Sequence, residues 1–425
     1  MIAWLLISFF VLLFLGVPIA MSLGLSAMGG ILFLGGGSTV TIAQRMFEGM
    51  NSFALLAIPL YTFAGFTMSK GGISKRLMDF CYSIVGHIYG GLAHVNVLSS
   101  MIFAGISGSA VADTAGVSGM FMPEMIRKGY SKNFTVAVTA ISSTIGIIIP
   151  PSIPMVVIAG ICGISTGKLF LGGIIPGILC GLAQMIVSYF LAKKEGVPKE
   201  PGHFTIGPVL HGLWESWPAL LMPIIIVGTI TMGIVSPTEA GVIAVVYGLF
   251  AGGIIYRELK WEDIKFAFAE TVRTSGRIFI VIGAAKLYTV MLTTAGFDKW
   301  VAKTMLGFST NPTVILIMIL LIFFIVTMFM ESIATLTLFM PILYPIALGV
   351  GINPIVLSVL ITVVIGIGLV TPPVGMCIYV ACDLMDTTVG EVFPTLVPFI
   401  AAPFVCIALM VAFPQLILLP TYLMA

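Results

Sequence analysis

The feature that most constrains this chain is a pair of adjacent prolines in the middle of an apolar run, Gly146-Ile147-Ile148-Ile149-Pro150-Pro151-Ser152. Proline lacks a backbone N–H and clashes with the preceding helical turn, so the run cannot continue as one regular helix. In hydrocarbon the freed carbonyl groups need other partners, and such a break is tolerated only inside protein or beside a wet cavity. A second pair, Pro372-Pro373, interrupts another apolar run. Two such breaks indicate a duplicated structural device.

The composition excludes an ordinary soluble domain. Of the 425 residues, 59% are hydrophobic and 8% are charged, whereas charged residues make up about 25% of a typical soluble protein. Repeated apolar runs of about 20 residues are typical of an all-α polytopic membrane protein. The N-terminal run has no basic segment or small-residue cleavage site, so we interpret it as a first membrane span. The net charge of +2 and the scattered cysteines indicate neither nucleic-acid binding nor a metal cluster.

Residue spacing relates the two halves of the chain. A Met-Pro dipeptide falls nine and ten residues after an acidic residue in each half, after Asp113 in the first and after Glu331 in the second. A glycine also lies 21 residues before each double proline. We therefore predict a first repeat over 1–191, a cytoplasmic linker over 192–215 and a second repeat over 216–425.

Each repeat is predicted to contain five membrane spans and one re-entrant hairpin, which reaches a tip at mid-membrane and leaves on the same side. The hairpins cover 92–128 and 312–348, because each apolar run there is interrupted by polar residues that include an acid. The spans broken by double prolines cover 133–163 and 354–382. Because five is odd, the second half enters the membrane from the opposite side, which makes the repeats inverted.

Some polar segments lie between the spans. The segments 71–91 and 257–277 have the composition of amphipathic helices at the membrane interface, and the second is followed by a separate predicted span over 276–295. A short polar segment that carries Arg45 and Glu48 precedes the third span.

The basic residues provide an independent test of this topology. With the linker placed in the cytoplasm, fourteen Lys and Arg residues fall on the cytoplasmic side and four on the other, a strong positive-inside bias. The four outer residues are Arg45, Lys168, Lys299 and Lys303. This orientation puts both termini outside, and continuous spanning helices in place of the hairpins would scramble the distribution.

The tips and breaks are candidate ion sites. Helix ends carry unpaired polar groups and partial charges; carbonyl and hydroxyl oxygens suit a hard cation, and N–H ends suit an anion. The first candidate cation site consists of Ser107, Gly108, Ser109, Gly146, Ile149 and Pro150. The second consists of Glu331, Ser332, Thr335, Gly366, Thr371 and Gly375. The carbonyls from Gly146 to Ile149 are the ligands that Pro150 would keep free. The alternative is that these small residues only allow close helix packing.

Four residues are assigned to the substrate: Asp113, Ser152, Lys286 and Glu331. The two acids are ionisable groups at membrane depth, which are functional by default because burying them is costly. The alternative for each is a structural hydrogen bond that holds a hairpin tip. Lys286, inside a span, could attract an anion, pair with an acid, or extend its ammonium group to the interface.

These motifs resemble the large membrane subunit of tripartite ATP-independent periplasmic (TRAP) transporters. The segments that carry the resemblance are Ser107-Gly108-Ser109-Ala110-Val111-Ala112-Asp113, Ile148-Ile149-Pro150-Pro151-Ser152, Ser236-Pro237-Thr238-Glu239-Ala240 and Val370-Thr371-Pro372-Pro373-Val374-Gly375. The resemblance implies an elevator-type fold, in which a block of both hairpins and both broken spans slides against a scaffold of the remaining spans. It also identifies the cation of both candidate sites as sodium.

The resemblance further implies sodium-driven uptake of an organic acid, of the sialic acid or C4-dicarboxylate type, across the bacterial inner membrane. A soluble periplasmic protein would deliver the substrate. A small four-helix membrane subunit would complete the permease, and we expect it to be a separate chain because this chain begins at the first span.

Three other functions were weighed. An ion channel would need a continuous polar pore, which paired hairpins with acids do not suggest. An intramembrane enzyme would need a nucleophile–base pair or metal ligands, and no HExxH or Walker sequence is present, so we predict no enzymatic activity. A sodium/dicarboxylate symporter of the same fold that works without a binding protein is the nearest alternative.

Overall fold

The computed structural model of the chain describes residues 1–34, 39–197 and 205–423, and every regular element in these ranges is a helix. Seven of the helices there are long and apolar enough to cross a membrane. The prediction of an all-α, polytopic membrane protein is therefore confirmed. Residues 198–204 of the predicted linker lie outside the described residues.

The first half contains ten α-helices. They are α1 (Ile2–Phe14), α2 (Ile19–Leu34), α3 (Thr39–Met50), α4 (Ala57–Lys70), α5 (Ile73–Val85), α6 (Gly91–Ser107), α7 (Ala110–Arg127), α8 (Lys132–Ser143), α9 (Ile153–Cys162) and α10 (Thr166–Lys194). Short 3-10 turns precede α4 and follow α8, at Phe53–Leu56 and Thr144–Ile147.

The described part of the second half contains ten more. They are α11 (Ile206–Thr231), α12 (Pro237–Phe250), α13 (Trp261–Thr294), α14 (Phe297–Phe308), α15 (Pro312–Thr327), α16 (Ser332–Gly349), α17 (Pro354–Gly368), α18 (Met376–Asp383), α19 (Val389–Ala412) and α20 (Gln415–Leu418). A π-helical turn over Ala251–Ile255 follows α12, and a 3-10 turn over Leu419–Leu423 follows α20.

Local sequence explains where the second hairpin and second broken span begin. Asn311 caps α15 by accepting a hydrogen bond from the Thr313 N–H at 2.9 Å, and Asn353 caps α17 by accepting one from the Ile355 N–H at 2.9 Å. Asparagine is among the best residues at this position. Each is followed by a proline at the first helical position, where the missing N–H costs nothing. Both helices therefore start at defined residues.

The predicted hairpins and broken spans form the centre of the molecule. Each hairpin segment contains two helices packed against each other, α6 with α7 and α15 with α16. The long arms of the broken spans are buried throughout, over 134–143 in α8 and 356–368 in α17. Entry of the hairpins into a membrane from one side stays a prediction, as do the inverted relation of the halves and the repeat boundaries.

Helices α10 and α19 lie beside the broken spans. They pack against each other and against the broken spans, α10 on α17 and α19 on α8. One hydrophobic core joins them to the broken spans, and the same core contains buried side chains of α4, α5, α11 and α12. The division into a sliding block and a scaffold of the remaining spans therefore stays a prediction.

The prediction of an interfacial helix followed by a separate span over 257–295 is wrong, because α13 is one continuous helix of 34 residues. At 1.5 Å per residue it is about 51 Å long, more than the hydrocarbon thickness of about 30 Å. Gly276 lies on its exposed side, and one glycine costs only about 1 kcal/mol in a helix. The polar segment before α4 is also a helix, α3, which packs along α13.

A second, smaller core joins the scaffold to the block. It contains buried side chains of α1, α2, α13 and α16. The Tyr288 hydroxyl of α13 donates to the Leu5 carbonyl of α1 at 2.8 Å and is itself buried. Helix α13 thus contacts both the scaffold helices and the second hairpin.

Candidate functional site

The first hairpin tip lies directly on the first break. The chain turns at Gly108, whose φ of +62° is in the left-handed region that favours glycine. Its carbonyl accepts a hydrogen bond from the Ile153 N–H at 3.2 Å. A Cβ at position 108 would lie only 2.7 Å from the Pro151 carbonyl oxygen. The structure therefore brings together the tip and the break that the sequence assigned to one cation site.

Ser109 begins the second helix of the hairpin. Its hydroxyl accepts a hydrogen bond from the Ala112 N–H at 3.4 Å, the geometry of an N-cap. Ser107 ends α6, and its side chain lies outside the described part of the structure.

The first break is held together by its own polar groups. The Ile145 carbonyl accepts hydrogen bonds from the N–H groups of Ile148 and Ile149, at 2.9 and 3.1 Å. The Ser152 hydroxyl, fully buried, donates to the Ile147 carbonyl at 2.5 Å and accepts from the Met155 N–H at 3.3 Å. The expectation that proline leaves every carbonyl of this stretch free is therefore wrong for Ile147. The geometry gives Ser152 a capping contact on both sides of the break, and its contact with substrate stays a prediction.

Asp113 lies over the break. Its side chain is 1% exposed, and a Cβ added at Gly146 would overlap its carboxylate oxygen Oδ2. Only glycine at position 146 leaves room for the carboxylate, and this links the two residues more closely than the sequence alone indicated. The bond between Pro150 and Pro151 is cis, as is the bond between Pro372 and Pro373.

The second tip is organised by its acid. Glu331 is the N-cap of α16, and its half-buried carboxylate accepts hydrogen bonds from the Ile333 N–H at 2.9 Å and from the Ser332 hydroxyl at 2.5 Å. The buried Thr335 hydroxyl donates to the Glu331 carbonyl at 3.1 Å. An anion at a helix N-terminus is stabilised by the unpaired N–H groups there. The structural alternative for Glu331, a hydrogen bond that holds the tip, is thus present, and the residue still faces the centre of the block.

The second break is bonded to the second tip. The N–H groups of Val374 and Gly375 donate to the Met328 carbonyl at the end of α15, at 3.0 and 3.4 Å. The Thr371 hydroxyl donates to the Ile367 carbonyl at 2.7 Å. In each half, therefore, the tip is hydrogen-bonded to the break. The sequence predicted the second of these contacts only by analogy with the first.

The two breaks also meet each other. Gly366 of α17 lies against the turn that follows α8, where a Cβ at position 366 would come within 3.2 Å of the Thr144 Cβ. Helix α18, which follows the second break, packs against α7 and α8 of the first half, and Cys377 on this helix is fully buried. Segments next to both breaks and to the first tip therefore share one buried region.

Lys286 lies elsewhere. Its aliphatic chain packs on Gly49 of α3, where an added Cβ would be 2.6 Å from the Lys286 Cβ. Its charge acts on Glu48, which Arg45 already contacts at 2.7 Å. This position of Lys286 fits one of the three alternatives, an electrostatic interaction with an acid. The assignment of Lys286 to the substrate stays a prediction.

Sequence analysis missed a buried polar network between α6 and α8. The Asn96 amide donates to the Thr139 hydroxyl at 2.7 Å, the Ser142 hydroxyl donates to the Asn96 carbonyl oxygen at 3.0 Å, and Ser100 donates to Ser142 at 3.1 Å. A signal was present, since hydroxyl residues recur along the apolar helix α8 at helical spacing. The hydrogen-bond partners of these hydroxyls depend on how the hairpin packs, and this packing cannot be read from the sequence.

The rest of the described structure offers no competing centre. Within residues 1–34, 39–197 and 205–423, no group of three His, Cys, Asp or Glu side chains is placed to hold a metal ion. A cavity of about 450 Å³ lies beside the end of α18, lined by Tyr379, Cys382, Asp383 and residues that follow them, and it contains none of the predicted site residues.

Comparison with known proteins was made on sequence and on structure. Residues 6–416 match the family described as "Tripartite ATP-independent periplasmic transporter, DctM component". The isethionate TRAP transporter permease protein DctMQ of Oleidesulfovibrio alaskensis is 37% identical over 393 residues, which cover 92% of this chain and 62% of that protein. This chain therefore spans less than two thirds of that relative.

Two other relatives are matched over almost their whole length. The sialic acid TRAP transporter large permease protein SiaM of Vibrio cholerae is 36% identical, over 96% of this chain and 95% of that protein. The C4-dicarboxylate TRAP transporter large permease protein DctM of Pseudomonas aeruginosa is 35% identical, over 95% of this chain and 94% of that protein.

The crystal structure of the Alcanivorax borkumensis YdaH transporter superimposes with a TM-score of 0.60, covering 87% of this chain and 86% of that one. At 13% sequence identity this similarity is evidence of a shared fold alone.

Proposed function

The chain belongs to the family of the DctM component, the large permease protein of TRAP transporters, and from this premise we propose that it carries an organic acid across the bacterial inner membrane by symport with sodium. The observation that carries the proposal is the contact of each hairpin tip with the break of its own half, together with the contact between the breaks. Four interrupted helices meeting in one buried region are what a midplane ion and substrate site requires.

The oxygen atoms at these contacts suit sodium. At the first contact, the Asp113 carboxylate lies on the bare backbone of Gly146, and the Ser109 hydroxyl caps the helix that carries Asp113. At the second, Glu331 and Thr335 lie on the first turn of α16, and Thr371 lies on the break. Hydroxyl, carbonyl and carboxylate oxygens are ligands of hard cations. Sodium bound at each contact would draw a tip onto its break and so complete the region between the tips.

The substrate is proposed to be an organic anion of the sialic acid or C4-dicarboxylate type. The N-terminal ends of α7 and α16 lie at the two tips, and the positive end of a helix dipole favours negative charge. Relatives are named as permeases for isethionate, sialic acid, C4-dicarboxylates and 2,3-diketo-L-gulonate, all of which are acids or their anions. Sodium between the substrate and the two carboxylates would offset their repulsion.

Movement is proposed to be of the elevator type. The block of hairpins and broken spans shares the larger core with neighbouring helices, and its helix α16 meets α13 in the smaller core. Sliding of the block along α13 would carry the site from one side of the membrane to the other, and the contact between α16 and α13 would be broken and formed again in each cycle.

Two partners are proposed from the family: a small membrane subunit and a soluble periplasmic substrate-binding protein. The distribution of basic residues supports cytoplasmic placement of the linker and periplasmic placement of both termini. Delivery by the binding protein would then occur on the side of the termini.

Uptake by proteoliposomes that contain the chain with its small subunit tests the proposal. We expect accumulation of a labelled C4-dicarboxylate or sialic acid only with the binding protein outside and an inward sodium gradient. Accumulation that persists when potassium replaces sodium on both sides would overturn sodium coupling. Equal accumulation with and without the binding protein would favour the binding-protein-independent symporter.

A further inference from the structure

Three buried side chains join the halves of the molecule next to Asp113. The hydroxyls of Thr114 on α7 and Ser143 on α8 are 2.6 Å apart, and both residues are fully buried. Cys377, on α18 of the other half, is also fully buried. Helix α18 packs against α7 and α8 along this contact. None of the three residues belongs to the sites assigned above.

The positions of these residues tie them to the candidate site. Thr114 directly follows Asp113 on α7, and Ser143 lies three residues before Gly146. Helix α7 therefore touches the first broken span at two successive points, through the Thr114–Ser143 hydrogen bond and through Asp113 on Gly146. A hydrogen bond at the first point fixes the approach of the helices at the second.

The two hydroxyls also bond within their own helices. Thr114 and Ser143 donate to the carbonyls of Ala110 and Ala140, at 2.9 and 2.7 Å. Each hydroxyl has one proton and two acceptor lone pairs, so the contact between the helices competes with these bonds for the two protons.

We propose that Thr114 and Ser143 are positioning residues, which hold the Asp113 carboxylate on the Gly146 backbone. The inference rests on the proposed sodium coupling. It assigns the first ion site a hydrogen-bonded support between α7 and the first broken span, in which the two hydroxyls act on the position of the carboxylate and not on the ion.

Sodium-dependent thermal stability of the purified full chain tests this role. The unfolding midpoint is measured at increasing sodium chloride, with choline chloride keeping the ionic strength constant, because a bound ligand stabilises the folded state in proportion to its occupancy. We expect Thr114→Val and Ser143→Ala to raise the half-saturating sodium concentration about tenfold, the effect of one lost buried hydrogen bond. Thr114→Ser, which keeps the hydroxyl, should restore the original value.

Ser142→Ala is the matched control. Ser142 is the neighbour of Ser143, equally buried, but its hydroxyl faces Asn96 on α6. This variant should lower the midpoint in sodium and in choline alike without moving the sodium curve. If the two hydroxyls act as one pair, Thr114→Val combined with Ser143→Ala shifts the curve no further than Thr114→Val alone.

The possible results distinguish a failure of the proposed sodium coupling from a failure of the positioning role. An unaltered protein that shows no sodium-specific stabilisation would overturn the proposed sodium coupling, and with it this inference. A normal sodium response of the unaltered protein, with unshifted curves for Thr114→Val and Ser143→Ala, would overturn the positioning role alone. Should Thr114→Val fail to fold, Ser143→Ala decides, since it removes one atom and adds no bulk. Additive shifts in the double variant would show that the two hydroxyls act independently, which would overturn their role as one positioning pair.

Discussion

Replacing Ser152 with alanine tests what holds the first break together. The Ser152 hydroxyl is fully buried, donates to the Ile147 carbonyl and caps α9 through the Met155 N–H. Loss of an N-cap costs about 1 kcal/mol, and a buried carbonyl left without its partner costs about 1–3 kcal/mol. We therefore expect Ser152→Ala to destabilise the protein by about 2–4 kcal/mol.

Thermal unfolding of the detergent-solubilised protein measures this effect against Ser131→Ala. Ser131 caps α8 with the same chemistry, accepting from the Phe134 N–H at 3.1 Å, but it is exposed. Water can replace its lost hydrogen bond, so its removal should cost about 1 kcal/mol or less. Equal falls in the two midpoints would refute the capping argument. An unchanged midpoint with a raised half-saturating substrate concentration would instead support the sequence-based assignment of Ser152 to the substrate.

Three further substitutions are expected to have separate effects. Gly146→Ala should reduce sodium-dependent uptake at least about tenfold, since the new methyl group overlaps the Asp113 carboxylate; uptake within twofold of the unaltered rate would contradict this. Arg76→Ala should destabilise the protein by about 2 kcal/mol in thermal unfolding. It removes a hydrogen bond to the Gly72 carbonyl, a contact with the Tyr256 ring and an ion pair with Glu258. Its control is Glu258→Gln, which removes only the exposed ion pair and should cost under about 1 kcal/mol. Lys286→Met should leave the half-saturating substrate concentration unchanged in uptake assays, because that side chain packs on α3, and a large increase would restore it to the substrate site.

Features that depend on local sequence were predictable. The break at Pro150 follows from the missing N–H of proline, and the structure interrupts the helix there. Interruption of the hairpin segments near Gly108 and Glu331 follows from polar residues inside apolar runs. Small residues at these positions were assigned to ion binding, with close packing as the alternative. The structure shows close packing directly at Gly366, and it is compatible with both roles at Gly146.

Features that depend on packing between distant segments were not predictable. Hydroxyl residues on α8 are visible in the sequence, but nothing local states that Ser142 faces α6 while Ser143 faces α7. The continuity of α13 was missed because charged residues near Arg273 suggested an interface, although long charged side chains can lie on the exposed side of a helix without ending it. The packing of α10 and α19 on the broken spans likewise depends on tertiary contacts alone.

The contact between α13 and α16 offers the most direct test of movement. Ala285 and Ala334 are fully buried in the core that these helices share. If the block slides along α13, this contact must be broken and formed again in each cycle. Cysteines at both positions, joined by a short thiol-reactive cross-linker, should abolish uptake, while sodium should still stabilise the cross-linked protein because the tips and breaks lie within the block. Native cysteines in the described residues are buried or half-buried, so each single cysteine variant treated in the same way is the control. Uptake by the cross-linked protein at the rate of the untreated one would show that substrate crosses without movement of α16 along α13.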